Sequence, residues 1–287
     1  MKRINFEKYH GNGNDFIIID SRNNEILEIF LSNKLFKISN LCQRQYGIGA
    51  DGVIFIANTD DYNNDAKMII YNSDDSEAEM CGNGIRCLIK YLSDQSTNNF
   101  NDHVFKIETK AGLKIGRFVD GQITVKMGKP ILNNHQIPTK INNFEKDLPS
   151  FKFNYKEFSC LGYAVGMGNP HLIFFVNDLD QLSHEKLGPV FETNLLFPEK
   201  TNVHFCKILG SSNIKVKVWE RGAGSTLACG TGACAIHVAA FKLGFCNSRT
   251  EIQLPGGNLI IDWADKDEEV LMTGGAEKIF SGSIDLI

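Results

Sequence analysis

The chain has 287 residues, of which 43% are hydrophobic and 22% charged, so it can bury a sizeable core in one large domain or two moderate ones. Its formal net charge is −4, and it has no run of five or six basic residues, which excludes a charged surface for nucleic acid or membranes. We therefore expect a small-molecule partner, no nucleic-acid partner and no membrane partner.

The N-terminus carries Lys2 and Arg3 without an apolar stretch behind them, so it does not resemble a signal peptide. No apolar run is long enough to suggest a membrane span. The eight cysteines are therefore expected to be reduced thiols in the cytoplasm rather than a disulfide framework. Their positions then become the most informative feature of the sequence.

Three segments of the first half stand out in chain order. Gly11–Phe16 alternates glycine with asparagine and predicts a turn. Cys81–Gly84, of sequence Cys-Gly-Asn-Gly, opens an apolar stretch of helical length that predicts a buried helix. Met127–Pro130, followed by a polar segment, is the best candidate for a boundary between halves.

The second half contains similar signals. Gly166–His171 again combines glycine with asparagine, and Cys229–Gly232 opens another apolar stretch of helical length. Alternating apolar and polar residues predict strands at Ile214–Trp219 and Asn258–Trp263. The second half therefore repeats the order of the first.

The spacing of these signals indicates a duplicated chain. Cys229 lies 148 residues after Cys81, and Asn169 lies 155 residues after Asn14. We predict an α/β fold of two pseudo-symmetric domains, each with strands wrapped around a central buried helix, and an active site in the cleft between them. The predicted domains are residues 1–127, joined by the C-terminal segment 275–287, and residues 128–274.

Cys81 and Cys229 are the candidate catalytic residues. A sulfur at the start of a helix lies near unpaired N–H groups and the positive end of the helix dipole, which favours thiolate and can lower the pKa. The same N–H groups suit an amino-acid carboxylate. Two such thiols facing one carbon could invert it, one removing the α-proton and the other returning a proton on the opposite face.

The other cysteines are expected to be small core residues: Cys42, Cys87, Cys160, Cys206, Cys234 and Cys246. A metal site is not predicted, because the chain has no Cys-x-x-Cys pair. A redox dithiol formed by Cys81 and Cys229 remains an alternative, because two thiols in one cleft can oxidise to a disulfide.

Several segments together resemble the diaminopimelate epimerase family over nearly the whole chain: Lys8–Phe16, Gly47–Gly52, Asn72–Cys87, Gly166–His171, Glu220–Gly232 and Met272–Gly274. The resemblance implies reversible conversion of L,L-diaminopimelate to the meso form, in the pathway to lysine and peptidoglycan. It also implies a two-domain fold, a homodimer, and no cofactor or metal.

The resemblance also assigns roles to matching positions. Cys81 and Cys229 resemble the acid/base pair, and His171 and Glu220 resemble residues that tune their pKa. The substrate-binding residues that it implies are Asn14, Asn72, Gly82, Asn83, Asn169, Asn202, Glu220, Arg221, Gly230 and Thr231. For each there is also a purely structural interpretation: asparagines beside glycine are common in turns, His171 could cap a loop, and Glu220 with Arg221 could form a surface ion pair.

Two positions depart from the family pattern. Gly52 stands where some relatives carry a glutamine that contacts substrate, and Phe280 stands where some carry an interface tyrosine. We expect the contact at position 52 to be absent or made by backbone. At position 280, burial in a dimer would survive, but a hydroxyl hydrogen bond would not.

Three other functions remain as alternatives. A proline racemase-like isomerase would share the opposed thiols but needs an apolar pocket, which Glu220 and Arg221 argue against. A thiol redox protein would not exchange a carbon-bound proton of any substrate with solvent. A pure binding module would leave both thiols without a purpose.

Overall fold

The computed structural model describes residues 2–23, 25–32, 37–96, 102–264 and 267–286. The chain divides into two compact units, the first formed by Met1–Val125 with Gly274–Ile287 and the second by Lys126–Thr273. The end residues 1 and 287 of the segments expected from the sequence lie outside the described residues. No helix in the described part is long and apolar enough to cross a membrane.

The first unit takes eight strands and three helices from residues 2–126. They are β1 Lys2–Gly11, β2 Asn14–Asp20, α1 Glu25–Ser32, α2 Ile38–Cys42, β3 Gly52–Ala57, β4 Ala66–Asn72, β5 Glu77–Ala78, α3 Gly82–Gln95, β6 His103–Glu108, β7 Lys114–Val119 and β8 Gln122–Lys126.

The second unit contains ten strands and two helices. They are β9 Phe144–Glu145, β10 Leu148–Tyr155, β11 Phe158–Gly166, β12 Pro170–Phe175, α4 His184–Glu192, β13 Asn202–Gly210, β14 Asn213–Glu220, β15 Gly224–Ser225, α5 Gly230–Leu243, β16 Arg249–Leu254, β17 Gly257–Asp262 and β18 Leu271–Gly274. The last strand, β19 Glu277–Leu286, returns to the first unit.

Strand pairing follows the same scheme in both units. In the first, β1 pairs antiparallel with β19 and β2, β2 runs parallel to β3, β3 is antiparallel to β4, and β4 runs parallel to β6. In the second, β11 pairs antiparallel with β10 and β12, β12 runs parallel to β13, β13 is antiparallel to β14, and β14 runs parallel to β16. This repetition of topology parallels the repetition of signals in the sequence.

One helix lies among the strands of each unit. Helix α3 contacts β1, β2, β3, β7 and β19, and α5 contacts β11, β12, β13, β16 and β17. Most of both helices is buried. Apolar residues occupy nearly every face of α5, whereas α3 is amphipathic and ends in exposed polar residues, Asp94 and Gln95. The helices predicted after Cys81 and Cys229 are confirmed, as is the strand at Ile214–Trp219, which lies within β14. The strand predicted at Asn258–Trp263 is found as β17 Gly257–Asp262, which ends one residue before Trp263.

Each unit also has a core on the other side of its strands. In the first, Phe30 of α1 packs against Phe55 of β3. In the second, Phe153, Phe174 and Phe191 form a cluster of aromatic rings whose centroids lie 5.0–5.6 Å apart. These cores stiffen the sheets from which the loops around the two cysteines project.

Candidate active site

Cys81 lies directly before the first residue of α3. Its φ of −139° and ψ of 121° are extended, and its sulfur accepts a hydrogen bond from the Gly84 N–H at 3.5 Å. The N–H groups of Gly82 and Asn83 belong to the same first turn, where an α-helix has no carbonyl partners for them. The half-buried thiol therefore lies beside a set of aligned backbone donors.

Asn14 is held with its carbonyl oxygen towards Cys81. Its Nδ2 donates to Asp51 Oδ2 at 2.9 Å, while its Oδ1 accepts from Asn83 Nδ2 at 3.1 Å and lies 3.7 Å from Cys81 Sγ. The carboxylate of Asp51 can only accept, so it fixes the orientation of the amide. The structure thus brings Asn14, Asn83 and Cys81 together.

A charge network supports this group, with Lys8 and Asp15 buried and Arg44 and Asp51 exposed. Arg44 Nη2 donates to Asp51 Oδ1 at 2.7 Å and to Asp15 Oδ1 at 3.0 Å, and Lys8 Nζ lies 2.8 Å from Asp15 Oδ2. Burial raises the pKa of Asp15, but hydrogen bonds and charges from Arg44 and Lys8 outweigh it and hold the pKa below its ordinary value. Sequence reasoning missed Arg44 and Asp51 as site residues, because this network joins distant segments.

Asn72 and Gly52 lie on neighbouring strands, paired in register. Asn72 ends β4 with an exposed side chain whose Nδ2 donates to Ser76 Oγ at 3.0 Å, so the structure does not bring it into a hydrogen bond with Cys81. A Cβ at Gly52 would lie 2.6 Å from the Tyr71 carbonyl oxygen. A side chain at position 52 would therefore require the backbone to shift, which explains the glycine there.

Cys229 precedes α5 in the same way, but its surroundings differ. It has extended φ of −124° and ψ of 106°, and its sulfur lies 3.7 Å from Thr231 Oγ1 in the first turn. Burial raises the pKa of this thiol well above its ordinary value, and the charge and hydrogen bond of Glu220 raise it further. The pKa of Cys229 is therefore raised rather than lowered as the helix end alone predicted, because burial and the Glu220 carboxylate disfavour the thiolate.

Two buried histidines adjoin Cys229. His171 Nδ1 lies 2.9 Å from His204 Nε2, and His171 Nε2 lies 2.7 Å from Asn169 Oδ1. Burial lowers the pKa of His204 to about 3 and that of His171 well below its ordinary value, with help for His171 from the charges of His204 and Arg221. Both rings are therefore neutral at physiological pH. Sequence reasoning missed His204, a single histidine in an apolar strand.

Glu220 ends β14 and Arg221 follows it, and their side chains have different partners. Glu220 Oε1 accepts from Thr226 Oγ1 at 2.6 Å, and its carboxylate also reaches the Cys229 thiol. The backbone N–H of Arg221 donates to Asn202 Oδ1 at 3.0 Å, and its Nη1 donates to the Glu199 carbonyl at 3.0 Å. Each of the two side chains therefore has a hydrogen-bond partner outside the pair.

Arg221 and Asn169 line a cavity of about 380 Å³ in the second unit. The cavity has the size of a small-ligand site. Asn202 lies beside it, with Nδ2 donating to the Pro170 carbonyl at 2.9 Å while its oxygen holds the Arg221 backbone. Glu192 accepts hydrogen bonds from Trp219 Nε1 at 2.8 Å and from the Gly222 N–H at 3.0 Å. The segment 219–222, which contains Arg221, is thus held at both ends.

Five of the remaining six cysteines are core residues. Cys42, Cys87, Cys206, Cys234 and Cys246 are buried as predicted, whereas Cys160 is half-buried, and none of the eight cysteines forms a disulfide. Burial raises the pKa of Cys42 to about 11, which makes it a poor nucleophile.

Comparisons with known proteins agree with the resemblance seen in the sequence. The sequence profile of the diaminopimelate epimerase family matches residues 6–133 and 163–279. A diaminopimelate epimerase of Prochlorococcus marinus (strain NATL2A) is 49% identical over 98% of this chain and 99% of its own length. One from a Synechocystis species is 44% identical over 99% of both chains.

Solved structures show the same fold at low sequence identity. A probable proline racemase from Agrobacterium radiobacter K84 superposes with a TM-score of 0.69 at 13% identity, over 99% of this chain and 93% of its own. A PhzF-family phenazine biosynthesis protein from Bacillus anthracis superposes with a TM-score of 0.65 at 16% identity, over the full length of both. The predicted mixed α/β fold, rich in strands, is confirmed. By its sequence profile and its curated relatives, this chain belongs to the diaminopimelate epimerase family.

Proposed function

We propose that this chain interconverts L,L-diaminopimelate and meso-diaminopimelate, with Cys81 and Cys229 acting on one α-carbon from opposite faces. The observation that carries the proposal is the matched placement of the two cysteines. Each directly precedes the central helix of its unit, at the same point in the repeated strand topology. The curated relatives support the choice of substrate.

In the proposed reaction, the α-carbon loses one proton from one face and gains one proton on the opposite face. One sulfur, as thiolate, removes the α-proton and becomes a thiol, while the electron pair left on carbon spreads into the carboxylate. The other thiol then donates its proton from the opposite face and becomes a thiolate. The first-turn N–H groups of Gly82, Asn83, Gly230 and Thr231 would stabilise the charge on that carboxylate, so the step needs no cofactor or metal.

Different side chains would hold the two ends of the substrate. Asn14 and Asn83 adjoin Cys81 and suit the reacting centre. Arg221 has the planar fork that fits a carboxylate, and we assign it the distal carboxylate together with Asn72, Asn169 and Asn202. Glu220 and His171 are assigned to tuning Cys229, and Glu220 also to the distal ammonium group.

The assembly and location follow from the family resemblance. We propose a homodimer in the cytoplasm, with each chain forming two domains that each supply one cysteine. Phe280 lies on β19 with 43% of its surface exposed, and its ring packs edge-on against Phe6 with centroids 6.0 Å apart. Sedimentation equilibrium of the purified chain would test the dimer.

The function is tested by incubating the reduced protein in D2O with the L,L, meso and D,D isomers and with lysine. We expect epimer formation and α-deuterium incorporation for the L,L and meso isomers. Lysine lacks the distal carboxylate and would leave buried donors unpaired, so its exchange should be roughly 10⁴- to 10⁵-fold slower.

The D,D isomer should also fail, because it would place like charges against Arg221 and Glu220. Rapid exchange of lysine would contradict the assigned distal site. Absence of exchange in every substrate would contradict the epimerase itself and favour a thiol redox protein.

A further inference from the structure

The structure brings together three metal-ligating side chains that lie far apart in the sequence. His171, His204 and Cys229 each direct one ligand atom into a small volume, where these atoms all lie within 4.8 Å of one another. All three side chains are buried. No spacing rule could have found this cluster, because the residues come from two strands and the start of a helix.

The fold explains why these side chains meet. Strands β12 and β13 run parallel with His171 opposite Asn202, so His204, two residues further along, shares the same face of the sheet. Gly232 lies in the first turn of α5, where a Cβ would approach His204 Cε1 to 2.4 Å. Its lack of a side chain lets the imidazole lie against the helix start, next to Cys229.

The hydrogen bonds define which ring nitrogens carry protons. His171 Nε2 faces the Asn169 carbonyl oxygen at 2.7 Å and therefore donates to it, which leaves the lone pair of Nδ1 directed into the cluster. That lone pair accepts from His204 Nε2 at 2.9 Å. A polar group that holds the outer nitrogen of a histidine is the usual support of a metal-binding imidazole, and Asn169 supplies it.

We propose that His171 Nδ1, His204 Nε2 and Cys229 Sγ form a binding site for a thiophilic divalent cation of the Zn²⁺ class. This set of two imidazoles and one thiolate is of the borderline-soft kind that Zn²⁺ prefers over oxygen-only sites. Glu220, which already contacts the thiol, offers an oxygen for a fourth position.

Binding is a ligand exchange without oxidation or reduction. The Cys229 thiol releases its proton to solvent as the sulfur–metal bond forms. The proton on His204 Nε2 moves to Nδ1, which has no hydrogen-bond partner among the described residues. Zinc–nitrogen bonds of about 2.0–2.1 Å in tetrahedral geometry require the two nitrogens to be roughly 3.4 Å apart, so the rings must separate by roughly 0.5 Å.

Occupancy of this site would switch off the proposed epimerase, and this consequence rests on the proposed function. A metal-bound sulfur can neither accept nor donate the α-proton, and the metal would hold His171 in place as well. The cation therefore acts as a reversible inhibitor that captures one of the two thiols and leaves Cys81 untouched.

Co²⁺, a spectroscopic substitute for Zn²⁺, tests the site in the chelator-stripped, reduced protein without substrate. We expect one equivalent to bind with a thiolate-to-cobalt charge-transfer band, to be displaced by Zn²⁺, and not to be displaced by Mg²⁺. Cys229→Ala and His204→Asn should each weaken binding at least about 100-fold, since even loss of an outer partner costs roughly 10- to 100-fold.

A matched control is the other buried pair in the same unit, Cys246 and His237, whose Sγ and Nδ1 lie 3.9 Å apart. Cys246→Ala should leave binding unchanged, and far-ultraviolet circular dichroism checks that each variant folds. A charge-transfer band that persists in Cys229→Ala, or failure of the folded wild-type protein to bind one equivalent, would overturn the proposal.

Inhibition by the bound cation is measured separately from its binding. Zn²⁺ should abolish α-deuterium incorporation, and EDTA should restore it. Because the cobalt band needs no substrate, binding without any epimerase activity would refute the proposed function and keep the site. Full activity with Zn²⁺ bound would refute the inhibitory role.

Discussion

The surroundings of Cys81 and Cys229 differ although their backbone positions match. Cys81 is half-buried beside the amide of Asn14, whereas Cys229 is buried beside a carboxylate and a histidine pair. Both precede a helix with extended backbone angles. The two units therefore share the position of the thiol and differ in its electrostatic environment, which suits the opposite roles proposed for the two cysteines.

The largest effect is expected from removing either thiol. Cys81→Ala and Cys229→Ala should each lower epimerisation by at least about 100-fold, since acid/base groups contribute roughly 10²- to 10⁴-fold. Initial rates of meso product formation measure this. Cys42→Ala is the control, because that thiol is buried in the core of the first unit. Near wild-type turnover of Cys81→Ala or Cys229→Ala would contradict a mechanism that uses both thiols.

A second prediction concerns the buried Lys8–Asp15 pair in the charge network that supports the first site. Asp15→Asn should destabilise the fold by about 3–5 kcal/mol, because it leaves Lys8 buried without its charge partner. Urea unfolding at neutral pH measures this. The exposed pair of Arg3 and Asp285 is the control, and Asp285→Asn should cost no more than about 1 kcal/mol.

The same network gives a pH dependence with a definite sign. Because the folded pKa of Asp15 lies below its unfolded value of about 3.9, its stabilisation is fully present above that value. It is lost as the pH falls through the folded pKa. Stability of the wild type should therefore fall more steeply below about pH 4 than that of Asp15→Asn, and parallel curves would contradict this assignment.

A smaller effect is expected from changing the orientation of the Asn14 amide, which lies beside Cys81. In Asp51→Ala, Asn14 Nδ2 and the Asp15 N–H would lose their shared acceptor, Asp51 Oδ2, so the Asn14 amide could turn its N–H groups towards Cys81. We expect kcat/KM to fall roughly 10-fold, which matches the loss of one charge-assisted hydrogen bond.

The reactivity of Cys81 provides the second readout for that variant. N–H groups near the sulfur favour thiolate, so alkylation of Cys81 should become faster while Cys229 is unaffected. Asp75→Asn, which changes an exposed contact to Ser39, should alter neither quantity. Unchanged alkylation with full activity would show that Asp51 does not orient Asn14.

The sequence predicted the features that depend on local pattern. The two helices, the alternating strands and the glycine turns follow from periodicity and turn chemistry, which local residues determine. The positions of Cys81 and Cys229 before these helices could therefore be predicted as well.

The rest depended on contacts between distant segments. His204 is one polar residue in an apolar strand, and only the pairing of β12 with β13 shows that it adjoins His171. The raised pKa of Cys229 depends on burial and on Glu220, which local sequence cannot report. Arg44 and Asp51 could not be recognised as neighbours of Cys81, because their hydrogen bonds form only in the folded chain.

The first turnover in D2O tests the central claim most directly, because it asks whether two separate groups handle the proton. L,L-diaminopimelate is mixed with the reduced protein in D2O, and the earliest meso product and remaining substrate are examined by mass spectrometry. With two thiols on opposite faces, the first product carries deuterium at the inverted carbon while unconverted substrate retains protium. Product that retains the substrate's own proton would require a single base and would contradict the account.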